Sequence, residues 1–217
     1  MKHILTCPAL LILVTGLLAS CNKELNRQPA NTNTAAIQYS TPAGYKQVLA
    51  KVYGSYALIS SQGTGASDIN VSGISDVGET DFIRLLFNMQ ELTTDNAICA
   101  WDDAYLQPLH NLNVVANNVY LAAMYDRSFF QITVANDFIR QSTDAAVAAR
   151  GITGADAQDI RHYRAEARFL RAYQYYVLMD LFGNPAFVTE NDPVGDYIPK
   201  QIKSADLFKY IDRKSVV

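Results

Sequence analysis

Four groups of residues in this chain have the types that chemistry needs, and their spacing limits what each could do. Gly73, Ser75 and Gly78 come near the Gly-x-Ser-x-Gly pattern that exposes a nucleophilic serine, but the last interval is one residue too long. His110 and His162 stand alone, with neither a His-Glu-x-x-His run nor a cysteine cluster beside them, so no metal site is expected. Gly63-x-Gly65 lacks the rest of a phosphate-binding loop. Asp102 and Asp103 are adjacent, and no partner carboxylate is identifiable at the separation glycoside hydrolysis requires. The expectation is a noncatalytic protein without metal or cofactor.

Two further groupings carry a different kind of signal. Trp101 is the only tryptophan, and it lies in an irregular stretch, residues 92–115, with Asp95, Asn96, Asp102, Asp103, Pro108 and several asparagines. A structureless segment of that length inside a folded domain is usually functional or mobile. Arg161, Arg164, Arg168 and Arg171 fall within an arc of about 80° on a helix turning 100° per residue. That arc has two readings. It is an anion site, or it is a solvated edge whose arginines pair with acids of the next helix while their stems cover apolar surface.

The elements that position these residues follow from periodicity. The 217 residues are 49% apolar and 18% charged, which excludes disorder throughout. A chain this long can bury roughly 70% of its unfolded surface without help from a metal or disulfide. A net charge of −3 gives no basic face for nucleic acid. Thr41-Pro42 starts a helix with Tyr45, Leu49 and Val52 on one arc, expected to run to about Ser60. Residues 81–89 form a short amphipathic helix, and 117–141 a helix apolar on two sides, which must sit between two neighbours. Asn136 projects from its middle and, if buried, needs a hydrogen-bond partner. The clearest helix is 156–182, with Ile160, Ala167 and Val177 on one stripe and Ala165, Phe169, Ala172 and Tyr176 nearly opposite; Gly183 and Pro185 end it. Residues 186–188 read as extended, and Ser204 as the cap of a last helix, 205–212. The fold class is mainly α: tetratricopeptide-like helical hairpins with long irregular loops, although no 34-residue period recurs.

The first twenty residues read as an address. Lys2 and His3 are followed by an apolar run, residues 4–18, too short for a membrane span of about 20 residues and typical of a signal peptide. It ends in Leu18-Ala19-Ser20-Cys21, which resembles the bacterial lipoprotein box. There the thiol of Cys21 accepts a diacylglyceryl group, and cleavage of residues 1–20 leaves it as a lipidated N-terminus. The other reading is an ordinary cleaved signal with an incidental cysteine. Residues 21–40 are polar and aperiodic and read as a tether, with the folded domain at 41–217.

Several segments in order resemble the RagB/SusD family of outer-membrane nutrient-binding lipoproteins. Arg164-Ala165-Glu166-Ala167-Arg168-Phe169-Leu170-Arg171-Ala172-Tyr173, continuing to Phe182-Gly183-Asn184-Pro185, is the most specific. Ile132-x-x-x-Asn136-x-x-Ile139 and Glu91-Leu92-Thr93-Thr94-Asp95-Asn96 match the segments before it. The resemblance implies structural roles for Asn136, Glu166, Arg168, Arg171, Gly183 and Pro185. It implies a cell-surface lipoprotein that captures oligosaccharides or other nutrients for a SusC-type TonB-dependent transporter, held by Cys21 on the outer membrane and facing outward. Because family members are more than twice as long, it also implies an N-terminal portion, incomplete at the C-terminus. Sugars are held by flat aromatic faces with amides and carboxylates at the hydroxyls, so Asp95, Asn96, Trp101 and Asp102 are the expected ligand contacts. The alternative for Trp101 is that it pins the loop onto the helices. For the whole protein the rivals are a tetratricopeptide-type adaptor binding a protein partner, and an exported hydrolase.

Overall fold

The computed structural model describes residues 34–61, 63, 65–195 and 197–214. The signal segment, Cys21 and the first part of the tether lie outside them. Contacts divide the chain at residue 37, and the body begins at Gln38. Tyr39, within the stretch read as tether, is only 2% exposed and gives its hydroxyl to Asp137 at 2.9 Å, so the folded body starts before residue 41.

Local capping chemistry sets most of the helix starts. Thr41 accepts the Gly44 N–H at 3.2 Å and Pro42 opens α1, Pro42–Gly54. A 3-10 turn, Val77–Thr80, leads to α2, Phe82–Gln90, where Asp81 accepts the Arg84 N–H at 2.8 Å. Asn118 caps α3, Val119–Gln141, and Thr143 caps α4, Asp144–Ala149. The long helix α5, Gly154–Phe182, and α6, Ser204–Lys214, follow, and single helical turns at Ala35–Gln38, within the stretch read as tether, and Gln107–His110 complete the described set. Among the described residues the sole strand-like feature is one antiparallel bridge between Ala186 and Gln201, in keeping with the extended reading of 186–188.

The expected mainly helical body with long loops is what forms. The Tyr45 hydroxyl meets the Gln141 carbonyl and the Gln131 amide meets the Ser55 carbonyl, so α1 runs antiparallel to α3. Arg164 meets Ser142 and Arg171 meets Asn136, so α3 runs antiparallel to α5. As its two apolar sides require, α3 lies between neighbours, packing on α1, α2 and α5. One core cluster joins Tyr39, Tyr45 and Leu49 to Phe138, Ile160 and Ala167. A second joins Phe82, Leu85 and Met89 to Tyr120, Ala123 and Met124.

Four expectations need correction. Helix α1 stops at Gly54, not near Ser60, because carbonyls beyond it are taken by α3 side chains: Gln131 Nε2 bonds Ser55 O and Arg127 Nη2 bonds Ile59 O. Arg127 itself is fully buried, donates from Nε to Thr80 O at 2.8 Å and lies 3.8 Å from Asp68, stapling the loop before α2 to the core. Burial pushes its pKa down while the charge of Asp68 opposes this. The short helix α4 has no counterpart in the sequence reading, and α5 starts two residues before 156. The second stripe of α5, whose setting the sequence left open, exposes Phe169 at 54% and Tyr176 at 47% and buries Ala172. Ser204 does not cap with its side chain. Asn184 Oδ1 accepts the Ser204 N–H at 2.8 Å, and the Ser204 hydroxyl lies against Gly183 O and Asn184 Oδ1.

Candidate ligand site

The irregular segment after α2 is irregular for identifiable reasons. Thr93 gives its hydroxyl back to Met89 O, and Thr94 gives its own to Glu91 O while accepting the Asn96 N–H. These side chains compete with helix bonds and turn the chain out. The segment is nevertheless anchored: Leu92, Leu106 and Leu109 are buried, and Asn118 donates to Tyr105 O at 2.8 Å. A single helical turn, Gln107–His110, lies beneath, and Gln107 donates to the Trp101 carbonyl at 2.6 Å. The result is a pinned loop with exposed side chains at its tip.

Trp101 is 58% exposed. The Arg84 guanidinium carbon lies 5.7 Å from its ring centroid, a cation–π distance. Both line a cavity of about 150 Å³ with Glu79, Asn88, Cys99 and Tyr120. Glu79 and Tyr120 are buried there. Burial, reinforced by the charge and hydrogen bond of Glu79, drives the Tyr120 phenol well above its ordinary range, so it stays protonated as a donor. Arg84 is 3.9 Å from Asp76, and its Nη1 is buried without a hydrogen-bond partner.

Asp95 and Asn96 do not share that cavity. They are exposed and line a separate depression of about 610 Å³ with Thr93, Thr94, Ile98, His110 and Leu112. Asp102 is exposed and lines neither. The four expected contacts therefore split, with Trp101 on one side of the loop and Asp95 and Asn96 on the other. Sequence reasoning missed Arg84, Glu79, Asn88 and Tyr120, and weighed His110 only as a metal ligand. Arg84 carried one usable signal, a cation in the first turn of an apolar helix beside an acid, Asp81. The arrangement can stack a flat apolar ring face on Trp101 and bond hydroxyls through a guanidinium, an amide and a carboxylate. Among the described residues no three His, Cys, Asp or Glu groups are placed to hold a metal ion. None of the described helices is long and apolar enough to cross a membrane.

Of the residues read as structural, Asn136 and Arg171 bond one another. Asn136 is buried, donates to Val188 O at 3.3 Å and accepts from Arg171 at 2.5 Å. Arg171, 2% exposed, also bonds the Glu190 carboxylate. Burial alone would raise the Glu190 pKa, but the Arg171 bond and charge prevail and hold it below its ordinary value. The charge of Arg168 acts on the same carboxylate. Glu166 accepts the Tyr53 hydroxyl at 2.8 Å. Gly183 closes α5, and the buried Pro185 gives its carbonyl to the Ile202 N–H at 3.0 Å. Arg161 and Arg164 each lie 3.2 Å from Asp144. The arginine arc thus meets acids of α4 and of the 190 turn rather than forming an open anion pocket.

No family model matches the chain. It is similar to the starch-binding protein SusD of Bacteroides thetaiotaomicron, with 28% identity over 215 residues, 98% of this chain and 35% of that protein. The chain spans about a third of the length of this curated relative. Nearly all of this chain is therefore SusD-like, the resemblance that its ordered motifs carry.

Proposed function

We propose that the chain acts as a noncatalytic surface lipoprotein that captures oligosaccharides, or other nutrients, and passes them to a SusC-type TonB-dependent transporter in the outer membrane. The observation that carries this reading is the likeness, along 98% of the chain, to a protein named for starch binding. The exposed Trp101 ring, backed by Arg84, supports it, because a sugar ring offers C–H bonds to an aromatic face and hydroxyls to the groups around it. Cys21 anchors the protein by its acyl chains, and the polar stretch after it lets the helical body stand clear of the lipid.

Calorimetric titration of the full chain with maltoheptaose tests the ligand. Trp101→Ala is expected to weaken binding at least tenfold, about 1.4 kcal/mol, with the helical circular dichroism unchanged. Unchanged affinity in a folded variant removes Trp101 from the site. An adaptor for a protein partner is the second reading, favoured by the solvent-facing Phe169 and Tyr176 of α5. It prevails if no glycan binds while Phe169→Ser abolishes capture of a helical partner.

A further inference from the structure

We propose that the depression lined by Asp95, Asn96, His110 and Leu112 is a second sugar subsite, which takes the continuation of a chain stacked on Trp101. This rests on the glycan reading above and adds to it a dependence on chain length. The depression is about 610 Å³, against about 150 Å³ for the Trp101 cavity, so it offers the larger share of the space along this loop.

Three features equip it for hydroxyls. The turn around it is held by Thr93, which bonds Met89 O, and by Thr94, whose hydroxyl serves both Glu91 O and the Asn96 N–H. That leaves the Asp95 and Asn96 side chains directed to solvent, an acceptor pair and an amide. His110, on the turn beneath, has a buried Nδ1 with no hydrogen-bond partner. A buried polar atom without a partner is unfavourable. His110 also lines the depression, so a hydroxyl bound there comes within reach of its ring.

The rim is apolar where a sugar presents C–H bonds. Ile98 is 81% and Leu112 71% exposed. Leu112 sits at φ +52°, a left-handed backbone that a leucine rarely adopts. Bonds from Leu112 N–H to Leu109 O and from Asn113 N–H to Pro108 O hold it there. The two sites share a wall. Ala97 and Ile98 line the depression, whereas Cys99 and Trp101 line the cavity. Three peptide steps join Ile98 to Trp101, a span of at most roughly 10 Å. One sugar ring does not reach across that wall, but an oligosaccharide does.

Titrating the full chain with maltose and with maltoheptaose separates the outcomes. His110→Ala is expected to weaken maltoheptaose about tenfold and leave maltose unchanged. Asp95→Ala, at an exposed position where folding is not at stake, is expected to do the same about threefold. Trp101→Ala weakens both sugars. If both sugars bind the natural chain and neither Asp95→Ala nor folded His110→Ala shifts maltoheptaose selectively, the second subsite is wrong and the Trp101 site stands. If neither sugar binds the natural chain, the glycan reading fails and this proposal with it.

Discussion

At the scale of single residues, arginines of one helical arc have very different weights. Arg161 bridges Asp144 with both partners more than half exposed, at 54% and 61%. Such a pair is worth under about 1 kcal/mol, because water screens it and two long side chains must be held still. Arg171 is interior and serves Asn136 and Glu190 together. Removing it leaves an amide oxygen and a carboxylate without their donor, so Arg171→Ala should cost about 3 kcal/mol against under 1 for Arg161→Ala. Urea unfolding of the two variants checks this, and equal losses would refute the distinction. The spacing revealed the arc, because 100° per residue is fixed geometry. It could not rank the arginines, since burial depends on where α4 and the 190 turn arrive from elsewhere in the chain. The candidate site was legible to the same extent. Composition located the loop around Trp101, but its fold-back sends Asp95 and Asn96 to one side and Trp101 to the other. Arg84 and Tyr120 join only through tertiary packing.

At the scale of elements, the end of α5 decides where the rest of the chain lies. Gly183 N–H closes the helix on Met179 O at 3.0 Å, and Asn184 N–H then bonds Phe182 O at 2.9 Å across a γ-turn centred on Gly183 at φ +71°. The tight reversal puts Asn184 where it caps α6 through the Ser204 N–H. A Cβ at position 183 meets only Ser204 Oγ, at 4.0 Å, so the penalty for alanine is backbone strain and not a clash. Gly183→Ala should destabilise by about 1–2 kcal/mol and speed hydrogen exchange in α6 more than in α3. Uniform exchange in both helices would show that the turn does not control the docking of α6. Gly183 and Pro185 were readable as a stop because both act locally. The cap at Thr41 was local in the same way. Helix α4 was not readable. Its six residues bury only Val147, too little to print a period on the sequence. The early end of α1 was equally hidden, because Gln131 and Arg127, more than seventy positions away in one case, take the carbonyls that would have extended it.

At the scale of the whole molecule, the described body is held by packing, since Cys99 is its free cysteine and no disulfide links the described residues. Much of that packing is aromatic. Tyr39 and Tyr45 pack at 5.0 Å between ring centroids, and Tyr175 sits among Phe187 and Tyr210. Tyrosine suits a helical stack with irregular loops, because its ring fills the core while its hydroxyl meets a backbone carbonyl or a carboxylate. Tyr175 does so by bonding Val188 O, and Tyr39 by bonding Asp137. The same burial makes the fold sensitive to alkali. Desolvation comes first among the causes that lift the Tyr39, Tyr120 and Tyr175 phenols well above their unfolded value of 10.0, with Asp137 adding to it for Tyr39 and Glu79 for Tyr120. A folded pKa above the unfolded one gives stability that is complete below pH 10 and is lost as pH rises toward the folded value. Each such phenol then subtracts about 1.4 kcal/mol per pH unit, because only the unfolded chain can release the proton. Three of them acting together exhaust the stability of an ordinary domain within a few pH units. Tyrosinate absorbance followed alongside far-ultraviolet circular dichroism should therefore rise in two stages, the second coinciding with cooperative loss of helix. Full ionisation in one step near pH 10 with the helices intact would mean that these rings are not the interior of the fold.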